Sequence, residues 1–172
     1  MTKFFSLTAL TLALLSPLGT LQAADLTFAA GQSSESTTVL RTGVQFDFDS
    51  SWWQSDTGRL TGYWDASYSY WDGERRSSNH TLSFTPVFVY EFAGETIKPY
   101  LEAGIGLAVF ESTELEGREL GSSFQFEDRI GAGLRFGQGQ EIGLRAIHYS
   151  NAGLKQPNDG IENIMLHYRM SL

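Results

Sequence analysis

Three residues near the C-terminus have the types and spacing for acyl transfer. The stretch Glu141-Ile142-Gly143-Leu144-Arg145-Ala146-Ile147-His148-Tyr149-Ser150 alternates like a strand. Alternate side chains of a strand share a face, so His148 and Ser150 follow Ile142, Leu144 and Ala146 onto one apolar side. In the next segment Glu162 has the parity of Ile164, Leu166, Tyr168, Met170 and Leu172. A hairpin through 151–161 sets Glu162 beside His148 and Ser150. A serine hydroxyl is a weak nucleophile until a base takes its proton. An imidazole can do that, and a carboxylate can hold its tautomer and steady its positive charge. Residues i and i+2 of a strand lie about 7 Å apart at Cα, and cross-strand neighbours about 5 Å, so the three side chains can meet. A plain interfacial band of polar residues at a strand end fits the same pattern. On geometry alone both readings stand.

The elements that must position these residues are strands. From Leu26 onward the hydrophobic period is two. Leu60, Gly62, Trp64, Ala66, Tyr68 and Tyr70 share a face, as do Leu82, Phe84, Pro86, Phe88, Tyr90 and Phe92. So do Ile97, Pro99, Leu101, Ala103, Ile105, Leu107 and Val109, with Lys98, Tyr100, Glu102, Gly104 and Gly106 opposite. Eight such segments are expected: 26–33, 38–50, 58–71, 80–92, 97–112, 121–137, 140–150 and 161–172. Residues 93–96 and 137–139 read as tight turns, and 72–79, 113–120 and 151–160 as longer polar loops. Long strands, an even number of them, and short turns alternating with long loops predict an all-β fold: an eight-stranded antiparallel up-and-down transmembrane β-barrel. Arg129, Arg135, Arg145, Arg169, Glu127, Glu141 and His167 fall opposite the apolar stripes, where a small barrel buries paired charges in its lumen. A soluble lipocalin-like barrel would invert these faces. Aromatic residues near strand ends, Trp52, Trp53, Trp71, Phe92, Phe110 and Phe136, favour the membrane by reading as interfacial girdles.

Composition agrees. The chain has 172 residues, no Cys, three His and a formal charge of −8. Disulfides and thiolate metal sites are excluded, a multi-His metal site is not expected, and the acidity argues against a nucleic-acid partner. Residues 1–23 combine Lys3, the apolar run from Phe4 to Leu15 and a small residue at Ala23, the signature of a secretory signal peptide. Residues 24–172 are then the barrel. The alternation from Ile164 to Leu172 resembles the C-terminal assembly signal of outer-membrane proteins, with Leu172 where an aromatic is usual.

The run Ala146-Ile147-His148-Tyr149-Ser150-Asn151-Ala152-Gly153-Leu154, followed by Asn158 and Glu162, resembles the PagL-type lipid A 3-O-deacylases. Size, leader and strand pattern extend that resemblance over most of the chain. It implies an outer-membrane esterase that removes the 3-O-linked hydroxyacyl chain of lipid A, the lipid of lipopolysaccharide, amid other outer-membrane lipids. It implies Ser150 as nucleophile, His148 as general base and Glu162 as orienting acid. Asn158 and the Gly153 N–H become candidates for the oxyanion hole, and Asn151 for shaping the loop behind the serine. No cofactor or metal is called for. Monomer and homodimer are both left open.

Two other functions compete. An outer-membrane phospholipase shares a His-x-Ser pair on a barrel exterior, but such enzymes resemble larger, calcium-assisted barrels with an amide as third member. A non-enzymatic structural or binding barrel would need none of the three residues. A porin is disfavoured, because eight strands leave little open lumen. Asp128 does not fit simply: it has the parity of Phe126, Ile130 and Ala132, so it faces lipid near His148 unless a bulge turns it inward.

Overall fold

The computed structural model describes residues 24–73 and 77–171. The expected leader, 1–23, and Leu172 lie outside the described residues. Among those described, eight long strands form one closed sheet: β1 (Asp25–Ser33), β2 (Thr38–Asp47), β4 (Gly58–Trp71), β5 (Asn79–Phe92), β6 (Ile97–Phe110), β9 (Phe124–Phe136), β10 (Gln140–Ser150) and β11 (Ile161–Met170). Three short strands interrupt the series: β3 (Trp52–Ser55), and the hairpin of β7 (Glu114–Leu115) with β8 (Arg118–Glu119). Each long strand pairs antiparallel with its neighbours, β11 closes onto β1, and β2 pairs with β4. The eight expected segments appear with ends shifted by a few residues at most: the first and fourth begin one residue earlier, the second stops at Asp47 rather than 50, and the sixth begins at Phe124 rather than 121.

Alternation assigns the faces. Leu101, Ile105, Leu107, Ile130, Leu144, Ile164 and Leu166 point outward and stay exposed. A continuous apolar exterior of this kind needs hydrocarbon, not water, around it. The opposite residues fill the lumen. Arg41 bonds Glu127 at 2.9 Å and Asp65 at 3.1 Å, and Arg129 bonds the same two acids at 2.5 and 3.3 Å. Arg145 pairs with Glu102 at 2.5 Å, and Arg169 with Glu141 at 2.8 Å and with Asp25. The side chains of Asp65, Glu127 and Arg129 have no exposure. The interior is packed rather than open. Towards the loop end an apolar plug that includes Val39, Trp71, Phe110, Leu120, Tyr149 and Met165 caps the charges.

That plug corrects part of the girdle reading. Trp71 and Phe110 are buried inside the barrel, and the Trp71 indole donates to Thr81 Oγ1 at 2.8 Å. Their parity explains it: Trp71 continues the inward series of Tyr63, Asp65, Ser67 and Ser69. Trp52, Trp53 and Phe92 are exposed, and Phe136 is half-buried. A second difference lies between β2 and β4. Instead of continuing as strand to residue 50, the chain leaves β2 at Asp47, and residues 48–57 fold back so that β3 pairs with the start of β4. Phe48 lies over Gly62, where a Cβ would meet the ring at 2.4 Å, so only glycine admits this return.

The outward assignment of the apolar face can be tested at Leu144. Leu144→Arg should lower insertion stability by roughly 2–4 kcal/mol, the cost of a charge near the midplane of a barrel wall. The measurement is the midpoint of urea unfolding in liposomes. A cost near zero would mean that the wall faces water.

Candidate active site

The ladder between β10 and β11 pairs His148 directly with Glu162, and the ladder between β9 and β10 pairs Asp128 with His148. One row of the sheet thus carries Asp128, His148 and Glu162 side by side on the outer wall. The turn after β1 continues it, since the Ser34 N–H donates to the Glu162 carbonyl at 2.8 Å. No bulge turns Asp128 inward: its pairing with Ile105 and His148 is in regular register, and its side chain is half-buried. Glu162, not Asp128, holds the imidazole, with Nδ1 to Oε1 at 2.8 Å. That bond leaves Nε2 as the nitrogen free for proton transfer. Ser150 stands two residues beyond His148 on the same face, opposite Phe126. Among the described residues its hydroxyl has no hydrogen-bond partner. Catalytic contacts often close only when substrate is bound.

The loop after Ser150 is held from below by Asn151, which is fully buried. Its amide donates to the carbonyls of Leu120 and Lys155, both at 2.8 Å, and its oxygen accepts the Lys155 N–H at 3.3 Å. The Asn151 N–H donates to Asn158 Oδ1 at 2.9 Å. Asn158 is thereby drawn next to Ser150 with its amide nitrogen left to donate. Gly153 is exposed in the same loop, at φ +77°. The structure therefore gathers Ser150, His148, Glu162, Asn151 and Asn158 at one edge, with Gly153 further out in the turn.

Two supports had no signal in the sequence. Gly160 has φ +64°, and a Cβ there would come within 3.0 Å of His148 Cε1. The imidazole thus rests against bare backbone on that side. The hairpin of β7 and β8 braces the loop from the other side. Glu119 N–H donates to Asp159 Oδ2 at 2.9 Å, and Arg118 bonds Glu35 at 2.6 Å, tying the turn after β1 to the same hairpin.

Below His148 the wall is concave. A groove of about 860 Å³ runs across β11, β10, β9, β6 and β5, with His148, Asp128 and Glu162 on its rim and Ala146, Ala103 and Pro86 along it. Small side chains in a wall of Ile and Leu make the depression.

The family model for lipid A 3-O-deacylase, PagL, matches residues 38–171. The lipid A deacylase PagL of Pseudomonas aeruginosa is 59% identical over 152 residues, covering 88% of each chain. The enzyme of the same name from Bordetella bronchiseptica is 42% identical over 123 residues, which is 70% of this chain and 65% of that one. A crystal structure of the outer membrane enzyme PagL superposes with a TM-score of 0.84 at 59% identity, over 87% of this chain and all of that one. A sequence match that runs from β2 to the end of the last strand, and a solved barrel of the same shape, leave one conclusion: this chain belongs to the lipid A 3-O-deacylase family and is an ester-cleaving hydrolase of the outer membrane.

Proposed function

We propose that Ser150, His148 and Glu162 form a catalytic triad that hydrolyses the 3-O-linked hydroxyacyl ester of lipid A from the lipid-facing side of the barrel. The observation that carries it is the 2.8 Å bond from His148 Nδ1 to Glu162 Oε1, on the wall beside Ser150 and at the rim of an apolar groove. His148 Nε2 takes the Ser150 proton as Oγ attacks the ester carbonyl. The carbonyl oxygen becomes an oxyanion, for which the amide of Asn158 and the N–H of Gly153 are the candidate donors. Collapse of this intermediate breaks the bond to the sugar oxygen, which takes the proton from His148. Water, deprotonated by the same imidazole, then attacks the acyl-serine. The second collapse frees the hydroxy acid and returns the proton to Ser150. Glu162 stays ionised throughout and steadies the imidazolium.

The location suits the substrate. The acyl chains of lipid A lie in the outer leaflet, and a site on the wall meets the ester there without extracting the lipid. In this reading loops 34–37, 111–123 and 151–160 face the cell exterior. Mass spectrometry of lipid A, from cells with and without the expressed protein, tests the reading. Expression should remove one 3-linked hydroxyacyl chain. Loss of chains from glycerophospholipids alone would refute the lipid A assignment while leaving a hydrolase.

A further inference from the structure

The outer wall carries a second groove that the triad does not use. Its volume is about 620 Å³, and Ala30, Leu40, Tyr68, Tyr70 and Leu166 help to line it. It shares no lining residue with the groove below His148. Here too a row of the sheet gives the direction. His80 pairs with Tyr70, Tyr70 with Leu40, Leu40 with Ala30, and Ala30 with Leu166. The row starts at the loop end, next to Asn79 where β5 begins, and reaches Leu166 well inside β11. It descends into the membrane, as the row of Glu162, His148, Asp128 and Ile105 does. The heads of the two rows stand on the β4–β5 and β10–β11 pairs. Between them lie β1 and β2 on one side and β6 and β9 on the other. The two grooves are thus half a turn of the barrel apart and slope the same way round, because one strand tilt sets both.

Polar side chains are locked together at the head of the second groove. The Tyr68 hydroxyl and His80 Nδ1 are hydrogen-bonded at 2.5 Å. The His80 ring lies 5.8 Å from that of Tyr68, nearly parallel, and 5.5 Å from that of Tyr70. Its Nε2 faces Glu111 Oε2 at 3.8 Å, and the Glu111 N–H donates to the His80 carbonyl at 2.9 Å, which holds that residue beside the strand. Among the described residues the Tyr70 hydroxyl has no hydrogen-bond partner. A carboxylate accepts, and an unpaired phenol both donates and accepts, so the pair suits hydroxyl and amide groups. The ring faces beside them suit the apolar side of a sugar. A tyrosine that only marks the membrane interface needs neither the imidazole nor the carboxylate.

We propose that this groove is a second glycolipid site, where a lipid A molecule of the outer leaflet is held and not cut. An acyl chain fills the groove, and the sugar head lies on Tyr70, His80 and Glu111. The cluster stands at the same end of the barrel as the triad, so the leaflet that brings lipid to one groove brings it to the other. The inference rests on the deacylase reading for that leaflet and for the lipid it names. No cleavage follows, because both ring nitrogens of His80 are engaged, Nδ1 with Tyr68 and Nε2 towards Glu111. This imidazole has none left to take a serine proton.

The experiment uses the purified full-length Ser150→Ala barrel, which leaves bound lipid A intact, in detergent micelles supplied with lipid A. Native mass spectrometry counts the lipid A molecules retained on each barrel, and two are expected. Ala30→Phe fills the second groove and should leave one. Ala146→Phe fills the first and should also leave one, and the two changes together should leave none. His80→Ala should raise the lipid A concentration that half-fills the second place roughly tenfold, the scale of a lost hydrogen-bonding group. These side chains all face outward, so the lumen packing is untouched, and heat-modifiable migration on gels reports folding. A parent barrel that retained one molecule or none, or a folded Ala30→Phe variant that retained as many as its parent, would overturn the second site. Unchanged filling in His80→Ala, or displacement of lipid A by an equal concentration of phosphatidylethanolamine, would overturn the glycolipid head. Release of the 3-linked acid by wild type is read separately. No release, with two molecules still retained, would sink the deacylase reading and leave this site standing.

Discussion

Ser150→Ala and His148→Ala should each reduce release of the 3-linked chain to background, a loss of roughly 10⁴-fold or more, in barrels that still fold. Both parts of that expectation come from position. The two side chains sit on the outer wall, away from the lumen network, so removing them leaves every buried ion pair in place. The double variant should be little worse than either single one, because a nucleophile without its base and a base without its nucleophile are equally idle. Glu162→Ala should be milder, since the orienting acid is usually the least costly member to lose. Glu162→Gln should keep part of the activity, because an amide can hold Nδ1 but carries no charge. Single-turnover release measured by mass spectrometry gives the rates. Substantial release by Ser150→Ala would remove it as nucleophile.

The second large effect is on stability. Glu127 accepts from Arg41, Thr85, Arg129 and Tyr149, all buried. Glu127→Leu leaves Arg41 and Arg129 sharing the single charge of Asp65 in a fully buried space. Stranding a buried charge costs about 3–5 kcal/mol. The urea midpoint in liposomes should fall accordingly. Converting Arg41 to Met in the same chain should recover much of the loss, since replacing both partners of a buried pair is far cheaper than removing one. A loss below about 1 kcal/mol in Glu127→Leu would mean that the lumen is hydrated.

Most of the barrel was legible because a period of two can satisfy a membrane only by putting one face outward. Once Leu144 is placed in lipid, Arg145 must be inside, and His148 and Ser150 must be outside. Glu162 could be read into the same site because its strand alternates without a break to Met170. Where the reading failed, a weaker rule had displaced parity. Trp71 and Phe110 were assigned to interfacial girdles for being aromatic and near strand ends, although their own parity pointed inward. Other features carry no local trace. The partners Arg41 and Glu127 are 86 residues apart, and matching charges alone do not say which acid meets which base. The return of residues 48–57 depends on Phe48 finding bare backbone at Gly62, a contact made only after the sheet has closed. Gly160 reads as an ordinary loop glycine until the His148 ring is seen lying against it. Asp128 was placed correctly by parity; whether a bulge intervened required the register on both sides.

The site proposed on the wall of the barrel, beside a groove open along its side, would also set the dimension in which this enzyme meets its substrate. In that reading encounters take place by lateral diffusion within one leaflet, so the concentration that governs turnover is a mole fraction in that leaflet rather than a molarity in solution. The cleaved acid need not cross into water to leave. It can slip sideways into neighbouring lipid, and the deacylated sugar can drift off in the same plane. Departure then requires no lid to open, and diluting the substrate with inert lipid should slow the reaction even when the bulk concentration is held constant.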